Sequence, residues 1–357
     1  MNGVRVRVAV NGYGVIGKRI ADAVAAQEDM TLVGVADVAS DYRLRVAVER
    51  GYPVYAASPE ARARMEAAGI PVAGTLAELV HNAAVVVDCT SKGVAAKNRD
   101  LYAAAGVKAV WQGGEKHETA GYSFVAQVNY AGALGRDAAR VVSCNTTALS
   151  RVLGALDQAG LVKRARAVLL RRATDPWESH KNGTINTVVP ETRVPSHQGP
   201  DARTIIPHLD ITTMAATGPF NLSHVHFLMV ETPRPATLDE VRAALAAAPR
   251  IAFVKAGDGL EAANAVIELM RDLGRPRADM WEVAVWEDAL AVDGREIYLT
   301  LQVHNEAIVV PETIDCIRAL TGTEASAAAS IARTDAALGV RKVYLPASQR
   351  RAAPTAT

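Results

Sequence analysis

The chain has 357 residues, 39 of them basic and 38 acidic, and half of the residues are hydrophobic. That length allows two domains with separate cores, and that apolar fraction excludes wholesale disorder. A formal net charge of +1 excludes a general electrostatic footprint for nucleic acid or an anionic membrane, so any anionic ligand must be gripped by a local cluster. Three cysteines, Cys89, Cys144 and Cys316, are too few and too widely spaced for a disulfide framework or a zinc site, and no metal is expected. Apolar runs such as Ala83–Val87 fall far short of a membrane span. Met1–Val8 alternates like a strand and lacks the apolar block of a secretory signal. The expectation is a soluble, reduced, cytoplasmic protein.

The first 140 residues alternate short β-rich runs with Ala-rich helical stretches. Strands are expected at Val4–Val10, Thr31–Ala36, Ala84–Cys89, Val107–Trp111 and Ser123–Val125, and helices at Ile16–Gln27, Pro59–Ala68 and Lys97–Ala105. Apolar strands alternating with helices imply an α/β unit with a parallel sheet covered on both faces. The texture changes near residue 142. A helix at Thr147–Gln158 leads into a strand at Ala165–Arg172, followed by a polar, Pro-rich stretch from Asp175 to Pro207. A loop of that length is functional or disordered, and its His, Lys and Ser content suits a ligand-binding loop. Strands follow at Ile211–Ala216, His224–Glu231, Ala252–Lys255, Trp281–Trp286 and Glu296–Val303, with helices at Leu238–Ala247 and Leu260–Leu273. Thr237 and Glu240 form a capping-box pattern at the start of the first of these helices. Irregular alternation implies an α+β domain with a mixed or antiparallel sheet. A last helical stretch, Pro311–Leu338, precedes a basic, Ala-rich tail whose end is expected to be mobile. The expected division is 1–142 for nucleotide binding, 143–310 for catalysis and oligomerisation, and 341–357 as tail. The C-terminal helix, about 311–340, returns to the first domain.

Asn11-Gly-Tyr-Gly-Val-Ile-Gly17 carries G-x-G-x-x-G between the first strand and the first helix. Such glycines permit a tight turn and close backbone approach to a pyrophosphate, whose charge the helix N-terminus accepts. The motif nominates Asn11, Gly12, Gly14, Val15, Ile16 and Gly17 for a dinucleotide. Asp37, twenty residues beyond Gly17, stands where an acidic side chain accepts hydrogen bonds from the adenosine ribose and repels a 2′-phosphate. NAD is therefore expected, and Arg43 and Arg45 on the following loop leave NADP open.

Val142-Ser-Cys-Asn-Thr-Thr147 places Cys144 between a short strand and a helix start. There the helix dipole and free amides favour a thiolate and can receive an oxyanion forming on an attacked carbonyl. Cys89 and Cys316 sit in apolar surroundings and read as inert. With these motifs, and with Gln112-Gly-Gly-Glu-Lys-His117, Arg171-Arg172 before Asp175-Pro176, Pro195-Ser-His-Gln-Gly-Pro-Asp201 and His224-Val-His226, the chain resembles the archaeal-type glyceraldehyde-3-phosphate dehydrogenases to about residue 340.

The resemblance implies phosphorylating oxidation of glyceraldehyde 3-phosphate with inorganic phosphate, through a cysteine thioester and hydride transfer to NAD(P), by a homotetramer. It makes Cys144 the nucleophile and His224 the catalytic histidine. His226, on the same strand face, is a partner of the site or a plain strand residue. His208 and His304 are weaker candidates. Ser143, Asn145, Thr146, Arg171, His197 and Gln198 are implied for substrate and phosphate, with Arg171 and Arg172 pointing to opposite faces. Gln198 replaces the second histidine of the family's usual His-His pair and loses its charge. Lys181 is a further loop candidate. Gly113, Gly114, Arg172 and Asn305 are implied for the cofactor, Asn305 standing where the family has Gln. The alternatives are a related two-domain aldehyde dehydrogenase or acyl-phosphate reductase, against which the Ser-Cys-Asn-Thr-Thr context argues, and a catalytically silent dinucleotide sensor. No nucleic-acid partner is expected.

Overall fold

The computed structural model describes residues 5–112, 114–178, 180 and 183–345. Eight strands build the first sheet: β1 (Val6–Asn11), β2 (Met30–Asp37), β3 (Val54–Ala56), β4 (Gly74–Thr75), β5 (Val85–Asp88), β6 (Lys108–Trp111), β7 (Ser123–Phe124) and β8 (Ala138–Val141). Their order is β4-β3-β2-β1-β5-β6-β8-β7, and every pairing is parallel. The order reverses between β1 and β5, so the crevice beyond their C-terminal ends is a nucleotide position. Both faces are covered. Val8, Val10, Val85 and Val87 join one apolar cluster, while Ala9 and Val86 join another on the opposite face. This is the parallel α/β unit expected from the apolar strands.

The second sheet contains β9 (Arg164–Arg171), β10 (Val189–Pro190), β11 (Ile211–Thr217), β12 (His224–Glu231), β13 (Ile251–Val254), β14 (Val283–Trp286), β15 (Ala291–Asp293) and β16 (Glu296–Val303). Its order is β10-β11-β9-β12-β16-β14-β13, with β15 on β16. The sheet is mixed: β9 with β11 and β13 with β14 are parallel, the other pairs antiparallel. Alternation along β12 buries His224, His226, Leu228 and Val230 and leaves Phe227 exposed.

Some expectations need correction. The last helical stretch is two helices, Val309–Thr321 and Ala327–Leu338. Gly322, in the left-handed conformation at φ +66°, ends the first, and Ser326 caps the second. The first of the pair is buried from Val309 to Leu320 and packs on β6, β8 and the Val15–Ala25 helix. The end of the tail, expected to be mobile, lies outside the described residues; its start is held, with Lys342 donating to the Ala246 and Ala247 carbonyls and Tyr344 buried against Glu282. The stretch expected to be irregular holds the short Gln198–Ala202 helix and β10. Tyr42–Glu49 is also helical, its N-terminus capped by Asp41, although β-branched and aromatic residues obscure its periodicity.

A buried ion network ties the second unit to the C-terminal helices. Arg151 and Arg250 meet Glu312 at 2.6 and 3.1 Å, and Arg250 meets Asp315 at 2.6 Å and Asp335 at 2.7 Å. Breaking such a pair from one side leaves an uncompensated buried charge, at a cost of about 3–5 kcal/mol. Arg151 lies on the helix that begins with Cys144, so the network also holds that helix in place.

Candidate active site

The helix of Cys144 runs Cys144–Gln158, so it starts three residues before the expected Thr147. Ser143 caps it, its hydroxyl accepting from the Thr146 N–H at 3.3 Å. Cys144 is therefore the first helical residue, among the free amides of the first turn. Its half-buried sulfur lies 3.4 Å from His224 Nε2. The Arg172 backbone N–H donates to His224 Nδ1 at 3.0 Å. Because a backbone N–H can only donate, Nδ1 holds a lone pair and the ring proton sits on Nε2, aimed at the sulfur.

Burial pushes the Cys144 thiol up to about 11, against the pull of Arg172 and of the Asn145 and Cys144 amides. The same desolvation, with His226, Arg172 and Arg171 nearby, drives His224 well below the ordinary imidazole range. The thiolate expected from the helix N-terminus is thus a neutral thiol facing a neutral imidazole. Desolvation outweighs the dipole here.

Two more of the nominated side chains turn inward. Thr146 is fully buried, and its hydroxyl donates to Asp201 at 2.8 Å. Arg140 donates to the same carboxylate at 2.5 Å. Thr146 and Asp201 therefore lock the first turn, and the Thr146 hydroxyl is committed before any ligand is considered. Asn145 is 6% exposed, and its Oδ1 lies 2.8 Å from His226 Nε2.

Arg171 and Arg172 diverge as strand geometry requires. Arg171 pairs with Glu191 at 3.1 Å, and His197 approaches that same carboxylate at 3.5 Å. Arg172 pairs with Asp175 at 2.6 Å. Gln198 is fully buried, and neither end of its amide has a hydrogen-bond partner among the described residues. An unsatisfied buried amide is costly unless a ligand completes it. The sequence gives no signal for Glu191, and it places Asp175 and Asp201 in motifs without assigning their contacts. Only a fold brings Glu191 beside Arg171, and no spacing rule signals it.

A cleft of about 360 Å³ opens on the other side of Cys144. Of the nominated residues, Val15, Ile16, Gly114, Ser143, Cys144, Arg172 and Asn305 line it. Cys89, Asp175 and Glu306 line it as well, so Cys89 is not remote from the site. Gly12 (φ +95°) and Gly17 leave no room for a Cβ, which would lie 2.8 Å from the Cys89 carbonyl carbon and 1.8 Å from the Gly12 oxygen. A Cβ on Gly14, by contrast, would meet nothing within 4 Å. The turn is thus tight at its base and open at its mouth. Asn11 donates to Tyr102 at 2.8 Å, while its buried Oδ1 has no partner among the described residues. Asn305 donates its amide N–H to Asp175 at 3.3 Å, so the amide oxygen is the end left for a ligand.

Asp37 differs from expectation in its hydrogen bonds. One oxygen accepts the Tyr13 N–H at 2.6 Å, and the other accepts the Val38 and Ala39 N–H groups at 2.7 and 2.8 Å. The carboxylate braces the Gly-rich loop. Arg45 donates to the Ala68 carbonyl, and Arg43 pairs with Asp41 while stacking over Trp177. Gly113 and Lys181 lie outside the described residues. His208 is exposed and pairs with Asp157 at 2.9 Å, whereas His304 is buried and accepts from the Met280 N–H at 3.0 Å. Neither reaches Cys144. No cluster able to hold a metal occurs among the described residues, and no helix among them is long and apolar enough to cross a membrane.

The three buried histidines make a prediction about stability. Burial holds His226 and His304 at about 3 and His224 well below 6.5. Between pH 6 and 4 the unfolded chain binds protons there that the folded chain refuses, so stability present above pH 6.5 is lost as pH falls. Asp279, raised to about 6 by burial, acts in the opposite sense. Asp335, also raised by burial, acts with Asp279, but the three histidines outweigh the pair, so unfolding takes up protons and the unfolding free energy falls from pH 7 to pH 5. Urea unfolding at pH 7, 6 and 5 measures this, and a pH-independent unfolding free energy would refute it.

A family model for the glyceraldehyde 3-phosphate dehydrogenase C-terminal domain matches residues 143–288, and one for the dihydrodipicolinate reductase N-terminus matches residues 6–114. A glyceraldehyde-3-phosphate dehydrogenase of Methanosarcina mazei is 47% identical over 338 residues, covering 94% of this chain and 100% of its own. Glyceraldehyde-3-phosphate dehydrogenase 1 of Methanosarcina barkeri is 47% identical over 340 residues, covering 95% of this chain and 99% of its own. The glyceraldehyde-3-phosphate dehydrogenase of Methanobacterium bryantii is 45% identical over 335 residues, covering 93% and 99%.

Proposed function

The chain belongs to the archaeal-type glyceraldehyde-3-phosphate dehydrogenase family, and from that premise we propose that it oxidises D-glyceraldehyde 3-phosphate to 1,3-bisphosphoglycerate, taking up inorganic phosphate and passing hydride to a nicotinamide cofactor. The observation that carries this reading is the Cys144 sulfur at a helix N-terminus, 3.4 Å from His224 and opening onto the cofactor cleft.

Cys144 loses its proton to solvent as substrate arrives and attacks the aldehyde carbon, giving a thiohemiacetal alkoxide. His224, neutral with its proton on Nε2, donates a hydrogen bond first to the sulfur and then to the new alkoxide and keeps its proton throughout, so the negative oxygen is free to expel the hydride. First-turn amides at Cys144 and Asn145 add to that oxyanion site. The cofactor, when bound, supplies the acceptor for the hydride whose departure leaves a thioester on Cys144. Phosphate attacks the thioester carbon, the acyl phosphate leaves, and the sulfur is returned. Arg171, His197 and the unsatisfied Gln198 amide are the groups for phosphate oxygens, with Glu191 pairing to Arg171 and His197 until an anion replaces it. Arg172, Asn305 and the loop from Asn11 to Gly17 serve the cofactor. NAD is the preferred form in this reading, because the Asp37 charge faces the ribose end while Arg43 and Arg45 are engaged elsewhere.

We assign residues 1–142 and the C-terminal helices to cofactor binding, and 143–310 to catalysis and assembly. A homotetramer is supported by the outer face of the second sheet, where Val168, Met214 and Phe227 stand side by side with Tyr298 nearby, each at least 39% exposed. Three free cysteines suit the cytoplasm.

The test is formation of reduced cofactor from glyceraldehyde 3-phosphate with and without phosphate or arsenate, titrating NAD and NADP in parallel. Turnover should require the anion and favour NAD. Activity independent of phosphate would refute the phosphorylating reaction, and a clear preference for NADP would refute the reading of Asp37. Light scattering on the same preparation reads the tetramer.

A further inference from the structure

We propose that His226 is a positioning residue whose hydrogen bond to Asn145 sets the first turn of the Cys144 helix in register with β12, and so sets the distance from the Cys144 sulfur to His224. The proposal rests on reading Cys144 as the nucleophile and His224 as its partner.

The geometry is a two-rung ladder. His224 and His226 point to one face of β12, about 7 Å apart along the strand. Cys144 and Asn145 are the first two residues of the facing helix. One rung joins Cys144 Sγ to His224 Nε2 at 3.4 Å, and the other joins Asn145 Oδ1 to His226 Nε2 at 2.8 Å. The shorter rung connects two buried side chains, His226 at 0% and Asn145 at 6% exposure.

Its polarity follows from what lies around the ring. His226 Nδ1 is buried with no partner among the described residues. A bare lone pair there costs less than a buried N–H without an acceptor, so the proton belongs on Nε2. Nε2–H then donates to Asn145 Oδ1. Desolvation keeps the ring neutral, which preserves this donor.

Packing alone does not account for a histidine here. The next inward positions of the strand are Leu228 and Val230, which fill the core without any polar cost. On its other flank the first turn is held by Thr146 on Asp201, itself paired with Arg140. His226 supplies the second point, and two points define a rotation about the helix axis that one does not. Without it the turn can shift, and a misplacement of about 1 Å in a reacting group can cost on the order of 100-fold in rate.

The experiment uses the full-length enzyme with His226→Leu, His226→Gln and Asn145→Ala, alone and combined. Single-turnover formation of reduced cofactor should fall about 10- to 100-fold in His226→Leu, with cofactor Kd unchanged. Gln retains a side-chain donor, so His226→Gln should recover most of that loss, and the recovery should vanish when Asn145→Ala is added. His226→Leu with Asn145→Ala should be no slower than the slower single variant. Equal loss in the Leu and Gln variants, or additive losses in the pair, would overturn the proposal. Where His226→Leu fails to fold, the comparison of His226→Gln with and without Asn145→Ala decides alone.

Alkylation of the thiols by iodoacetamide without substrate separates the two levels. Selective modification of Cys144 in wild type, slowed about tenfold in His226→Leu, supports the ladder. Modification of Cys144 no faster than of Cys89 and Cys316 refutes the nucleophile reading. Selective modification of Cys144 at the same rate in wild type and His226→Leu refutes the positioning role.

Discussion

Cys144→Ser is expected to lower turnover by on the order of 10⁴-fold or more, the scale seen when a covalent nucleophile is removed from an interdependent site. The hydroxyl that replaces the thiol does not ionise at any pH the protein tolerates, and it is the weaker nucleophile in the same pocket. Serine at the first helical position keeps the volume and the local backbone, so the Ser143 cap and the Thr146–Asp201 lock should survive. The thermal midpoint and the cofactor Kd should therefore stay near wild type. Single-turnover measurement with either cofactor decides the matter, and a rate within tenfold of wild type would remove Cys144 from the mechanism. In wild type, with the thiol held up near 11, the alkylation rate of Cys144 should keep climbing above pH 8.

His224→Asn is expected to slow the chemical step by about 10²- to 10⁴-fold, the usual range for one proton-donating or proton-accepting group. An asparagine can still accept the Arg172 N–H, but its shorter amide withdraws the donor from the sulfur. His224 is not among the residues lining the cofactor cleft, so cofactor affinity should be preserved. Exposed His208, paired with Asp157, provides the control, and its alanine variant should turn over normally. A near-normal rate in His224→Asn would refute its role. With the ring neutral well below pH 6.5, the wild-type rate profile should show no limb from His224 near neutrality. The rate should instead rise with pH as the thiol ionises.

The sequence nominates these two residues, Cys144 by its own motif and His224 through the family resemblance. Cys144 stands in Ser-Cys-Asn-Thr-Thr at a helix start, and His224 in a His-x-His strand. For other nominated residues the fold adds a protein partner that the sequence does not announce. Thr146 was nominated for substrate, yet its hydroxyl is spent on Asp201, 55 residues away. Asp37 was nominated for ribose, yet its oxygens first brace Tyr13, Val38 and Ala39. A hydroxyl or carboxylate satisfies whichever donors and acceptors surround it, and the sequence does not say which those will be.

Chain order and side-chain period determined the two sheets, the Gly-rich turn, the place of Cys144 at a helix start and the divergence of Arg171 from Arg172. Those properties depend on a few consecutive residues and on repeats of two or 3.6. The tertiary structure alone decided that desolvation holds the half-buried sulfur as a thiol, that the ring proton of His224 faces it, that Glu191 sits between Arg171 and His197, and that His226 holds Asn145. Each of these depends on desolvation and on partners from distant parts of the chain. A charge or a proton is placed by the whole environment around it, and that environment exists only once the chain has folded.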